Sequence, residues 1–112
     1  MTDKNKMVML LDFYGDVLTE KQREAMDMYY NDDYSLAEIA ENTAISRQGV
    51  RDRLQKSERI IMELEDKLHL FERFGEMKDD MAKLIARLER LRKLSPAEVG
   101  AVIDIAKELL EK

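Results

Sequence analysis

The 112-residue chain has no cysteine, one proline, one histidine and four glycines. Without thiols, disulfides and thiolate metal sites are excluded. A lone histidine makes no recognisable zinc site, and His69 reads as a surface residue. No apolar run approaches membrane-spanning length. The acidic Thr2-Asp3 start is not that of a signal peptide, so the cytoplasm is the expected location. There is no Gly-rich phosphate loop and no nucleophile elbow. The acid pairs Asp32-Asp33 and Asp79-Asp80 lack an accompanying base or nucleophile, and a calcium loop would need a longer run of spaced oxygen ligands. They read as solvated surface. No catalytic residue, metal or cofactor is expected, and the chain does not read as an enzyme. Hydrophobic residues at 45% and charged residues at 38% instead suit an all-α protein with much exposed charge.

The most informative stretch runs from Tyr34 to Arg51. Ser35 followed by Glu38 is a capping box, and Tyr34 with Ile39 occupies the hydrophobic-staple positions over it. Ser46 caps a second helix, with Ile45 and Val50 at the equivalent staple positions. Leu36, Ile39 and Ala40 give one helix an apolar face; Val50 and Leu54 give the next helix another. Two short capped helices joined by a tight turn are the sequence form of a helix-turn-helix, whose second helix can enter the DNA major groove. Two positions are unusual. The turn carries Ala44 where many such motifs carry Gly, and a left-handed non-Gly residue is strained. Gly49 falls inside the second helix, where Gly costs about 1 kcal/mol relative to Ala.

Val50, Leu54, Ser57 and Ile61 recur at helical spacing and should face inward. That turns Arg47, Gln48, Arg51, Asp52 and Gln55 outward. Arg suits guanine edges and Gln adenine edges, because each can make paired hydrogen bonds there. A charged face by itself is ordinary solvated surface; the capped frame is what points it toward nucleic acid. The charge distribution agrees. The net charge is −5, which argues against a generic DNA-coating protein, yet residues 46–60 carry five bases against two acids. The candidate DNA-binding residues are therefore Ser35, Ser46, Arg47, Gln48, Arg51, Gln55 and Lys56.

Elsewhere the chain reads as helix after helix. Met7, Leu10, Leu11, Tyr14 and Leu18 form the apolar face of a first helix from about Asp3 to Asp16, with Gly15 as a left-handed cap. Thr19 with Gln22 boxes a second helix carrying Ala25, Met26, Tyr29 and Tyr30, and Asn31-Asp32-Asp33 is a turn. After Leu54 the second motif helix continues, and Val50, Leu54, Ser57, Ile61, Leu64, Leu68 and Phe71 step as a heptad seam with Glu65 off it. A break is expected near Phe74–Gly75. A further seam follows at Met77, Met81, Leu84, Leu88 and Leu91. Ser95-Pro96-Ala97-Glu98 then opens a last helix with buried face Val99, Val102, Ile103, Ala106, Leu109 and Leu110. The eight methionines could line an adaptable peptide groove, but their helical spacing suits core filling better.

Leu18-Thr19-Glu20-Lys21-Gln22, Tyr34 to Ala40 and Ile45-Ser46-Arg47-Gln48 look like region four of bacterial sigma factors, which grips the promoter −35 element. Leu11-Asp12-Phe13-Tyr14-Gly15, Tyr29 to Ser35 and Glu65-Asp66-Lys67-Leu68 resemble the YlxM-type family of small Gram-positive proteins. The resemblance covers roughly residues 5–90 and is specific over about the first seventy. It implies a DNA-binding helix-turn-helix regulator connected with the signal recognition particle pathway of protein targeting. The expected architecture is all-α: a sigma region-four-like helix-turn-helix bundle over residues 1–60, then long amphipathic helices over 61–112, continuous with the recognition helix. The expected partners are duplex DNA and a second copy of the chain, since the C-terminal seams present more apolar surface than a small N-terminal bundle covers. The alternative is an accessory protein that binds a protein or RNA component of the signal recognition particle machinery through its C-terminal helices. Net acidity and those amphipathic helices favour it.

Overall fold

The computed structural model describes residues 3–92 and 95–111, and among these there are six α-helices and no strand. The helices are α1 (Lys4–Tyr14), α2 (Glu20–Met26), α3 (Leu36–Thr43), α4 (Arg47–Leu68), α5 (Leu70–Leu91) and α6 (Pro96–Glu111). None is long and apolar enough to cross a membrane. The chain divides into two compact units, Met1–Phe71 and Glu72–Lys112. Helix α4 passes through residues 60 and 61 without a break.

The first unit is built by caps and one core. Asp3 caps α1 by accepting from the Asn5 N–H at 3.0 Å. Thr19 and Gln22 form a reciprocal box at the start of α2, and Ser35 and Glu38 form another at the start of α3. Between them, Met7, Leu10, Leu11, Tyr14 and Leu18 meet Ala25, Met26, Tyr30, Ile39, Val50, Leu54 and Ile61 in one buried cluster. Each large side chain so buried contributes about 1.5–3 kcal/mol. Ser57 lies fully inside too, and its hydroxyl donates to the Arg53 carbonyl at 2.7 Å. The helix therefore supplies the partner that a buried hydroxyl requires.

Several local expectations are corrected. Gly15 is not a left-handed cap, because its φ is −57° and it opens a 3₁₀ turn to Val17. Its open side is instead covered by the end of a long side chain. A Cβ would come within 2.0 Å of the Arg23 guanidinium, which lies over Gly15 while pairing with Asp16 and Asp27. After α2 the chain widens into a π-turn, Asp27–Asn31, which sets Tyr29 edge-on to Tyr30 with ring centroids 4.9 Å apart. The expected break at Phe74–Gly75 is also displaced. Both residues lie inside α5, and the chain turns instead at His69, in a left-handed conformation with φ 57°.

That joint explains why the heptad seam loosens in its last third, where Leu64 and Phe71 are only partly buried against the core. Val50, Leu54, Ser57 and Ile61 are buried as expected, but the next buried residue is Glu65, while Leu68 is 46% exposed. Steps of four, three, four and four follow the face of a straight helix rather than a 3.5-residue coiled-coil repeat. Glu65 accepts from the Tyr14 hydroxyl at 2.6 Å and from the Phe71 N–H at 3.0 Å. The Leu70 N–H donates to the Tyr14 oxygen at 3.1 Å. The first donors of α5, which a helix leaves open, are thus satisfied by side chains from α1 and α4. Burial first, then the hydrogen bond to Glu65, holds the Tyr14 hydroxyl above its ordinary pKa.

In the second unit the same amphipathic residues bury much less. Only Ile103 and Ala106 are buried there among the described residues. Pro96 opens α6, and the Ser95 hydroxyl reaches Glu98 at 3.4 Å.

Candidate nucleic-acid interface

The arrangement of α3 and α4 follows from three residues between them. Thr43 ends α3, Ala44 takes φ 57° and ψ 32°, and Ser46 starts α4 by accepting from the Gly49 N–H at 3.0 Å. Ala44 carries the left-handed conformation that glycine takes more easily, so the turn holds some strain. Gly49 sits in the first turn of α4, not its middle. A Cβ there would stand 3.3 Å from the capping Ser46 oxygen, so glycine relieves crowding at the cap. A capped helix, a three-residue turn and a second capped helix make the helix-turn-helix.

All seven candidate residues, Ser35, Ser46, Arg47, Gln48, Arg51, Gln55 and Lys56, are exposed. Arg47, Arg51 and Gln55 follow one another at four-residue steps along α4, with Gln48 and Asp52 beside them. The Gln48 amide donates to Asp52 at 2.9 Å, which fixes its orientation on the face. Ser35 and Ser46 differ from the other five. Their oxygens already accept from Glu38 and Gly49, so their demonstrated work is capping.

A shallow groove runs between the start of α3 and the start of α4, lined by Ser35, Leu36, Ala37, Arg47, Gln48 and Arg51. A second hollow, about 260 Å³, is lined by Leu36, Arg51, Leu54, Gln55 and Glu58. Leu36 and Ala37 were not among the candidates. Their signal was position: they are the first two residues after the Ser35 cap, where α3 faces the next helix. Glu58 was missed as well. It accepts from the Tyr30 hydroxyl, tying α4 to the segment after α2. Burial, reinforced by Glu58, keeps that hydroxyl protonated far above the usual tyrosine range. The helix that carries the basic face is therefore tied down at two points, at Tyr30–Glu58 beside that face and at Tyr14–Glu65 near its far end.

Comparison with known proteins agrees with this geometry. Residues 1–98 match the family UPF0122, described as "Putative helix-turn-helix protein, YlxM / p13 like". The UPF0122 protein of Clostridium kluyveri is 41% identical over 99 residues, covering 88% of this chain and 89% of its own. A UPF0122 protein of Thermoanaerobacter is 43% identical over 107 residues, covering 94% and 92%. One from Exiguobacterium is 43% identical over 100 residues, covering 78% and 94%. The YlxM-type resemblance carried by Leu11–Gly15, Tyr29–Ser35 and Glu65–Leu68 is thereby confirmed, and the chain belongs to the UPF0122 family of helix-turn-helix proteins.

Proposed function

We propose that this protein is a DNA-binding regulator whose α4 enters the major groove of duplex DNA. The observation that carries the reading is one exposed face: Arg47, Gln48, Arg51 and Gln55 stand together on the first half of the second motif helix. Arg47 and Arg51 would read guanine edges, Gln48 and Gln55 adenine edges. Lys56 would meet phosphate, and the groove beside Ser35 and Arg47 would admit the DNA backbone. Asp52 tempers the positive field and, by orienting Gln48, favours selective over indiscriminate binding. A role in transcription of the sigma region-four kind fits this docking. A connection with the signal recognition particle rests on the family resemblance.

One observation favours a second reading. The chain as a whole is acidic, at −5, which weakens long-range attraction to any polyanion. On that reading the helix-turn-helix is a packing frame, and the long helices bind a protein or RNA component of the targeting machinery. Crosslinking in cells, followed by recovery of the full-length protein and sequencing of what it carries, separates the two. A discrete set of duplex DNA fragments supports the regulator. Recovery of one RNA species or one protein without DNA supports the accessory role and contradicts the first reading.

A further inference from the structure

The second unit cannot satisfy its own apolar surface. Met77, Leu84 and Leu91 on α5 are 47–52% exposed, and Val102, Ile105 and Leu109 on α6 are 48–59% exposed. These six are not scattered. The Glu89–Lys107 ion pair, at 3.7 Å, joins α5 to α6 along one side. At 100° per residue, Glu89 follows Leu88 and Lys107 follows Ala106 on that side of the more covered lines, which are Met81, Ile85 and Leu88 on α5 and Ile103, Ala106 and Leu110 on α6. Leu84 precedes Ile85, while Val102, Ile105 and Leu109 each precede a covered residue of α6. On each helix the exposed apolar line therefore lies away from the ion pair, and with α6 returning antiparallel to α5 the two lines form one apolar face.

We propose that the apolar face is a homodimer interface. Two α5–α6 hairpins stack face to face, with α5 of each over α6 of its partner, and close a four-helix bundle in which all neighbours are antiparallel. Three observations select a second copy as the occupant. The first is the missing core: a unit of about forty residues with two buried side chains among its described residues is at the size where folding depends on association. The second is area. Six half-open side chains offer on the order of 500 Å² of apolar surface, and with their rims they approach the roughly 800 Å² per partner of a standard interface. The third is charge. Among the described residues, the outer edge of α5 carries Arg73, Lys83 and Arg87 against Glu76 and Asp80, whereas the outer edge of α6 carries Glu98 and Glu108. In the two-fold arrangement each basic edge faces the partner's acidic edge, so one chain complements itself.

The test is sedimentation velocity on the full-length chain at tens of micromolar, with far-UV circular dichroism as the folding control. The expected result is a species of twice the chain mass. Ile105→Glu should give a monomer of unchanged helicity. Arg87→Glu should weaken the dimer about tenfold, and adding Glu98→Arg should restore it. Should Ile105→Glu unfold, crosslinking decides instead, because the chain has no native cysteine. A mixture of Leu84→Cys and Ile105→Cys chains treated with a short bismaleimide should give covalent dimer. A monomeric wild type, a dimer untouched by folded Ile105→Glu, or no crosslinked product overturns the proposal.

Discussion

The two units use similar helices to different ends. In Met1–Phe71, helices of 7 to 22 residues meet from several directions, and twelve apolar residues close into one cluster. In Glu72–Lys112, most of a 22-residue helix and a 16-residue helix bury only Ile103 and Ala106 among the described residues. Helix length and amphipathicity are alike, or greater, in the second unit. What differs is the number of directions from which a face is covered. An apolar stripe becomes a core only where other elements surround it, and two helices alone cannot surround anything.

The sharpest way to break this contrast is a pair of truncations. Ile61→Ala removes a fully buried side chain and should cost about 2–5 kcal/mol. Ile105→Ala, at a side chain 59% exposed, should leave the unfolding of the first unit unmoved. Urea melts followed by tyrosine fluorescence check both, since all four tyrosines lie between residues 14 and 34. A somewhat smaller effect is expected from Glu65→Ala. It strips the acceptor from the Tyr14 hydroxyl and the Phe71 N–H, for a loss of about 2–3 kcal/mol in the same melts.

The buried tyrosines add a pH dependence confined to the first unit. Tyr14 and Tyr30 are held protonated above the ordinary value of 10.0. Their contribution is complete below pH 10.0 and declines as the pH rises beyond it, because the unfolded chain then releases protons that the folded chain keeps. Melts between pH 9 and 12 should show this decline, and the Tyr14→Phe, Tyr30→Phe double variant should flatten it. The smallest effects are backbone ones. Ala44→Gly relieves a left-handed alanine in the motif turn, and Gly75→Ala enters open space inside α5. Each should raise stability by about 0.5–1 kcal/mol, read as a shift in the thermal midpoint.

Much of the first unit was legible because its signals are local. Thr19–Gln22, Ser35–Glu38 and Ser46 announce helix starts within four residues, and all three cap as expected. The apolar spacing of Met7 to Leu18 and of Val50 to Ile61 named most of the core, and left Arg47, Gln48, Arg51 and Gln55 outside, where they stand. The joint at His69 was illegible because its logic is not local. A carboxylate within a charged stretch reads as solvated, and nothing near Glu65 reveals a tyrosine hydroxyl 51 residues earlier. Gly15 misled for a related reason: the side chain that lies over it, Arg23, comes from another helix.

The central claim is that the exposed face of α4 reads duplex DNA, and one measurement reaches it most directly. Full-length protein and its Arg51→Ala variant are titrated with a duplex recovered from cells, at several salt concentrations, with circular dichroism confirming that the exposed substitution leaves the fold intact. If Arg51 reads a base, the variant should lose about 1–3 kcal/mol of affinity for that duplex and discriminate less well against a scrambled one. Equal affinity of both proteins for both duplexes at every salt concentration would contradict the claim.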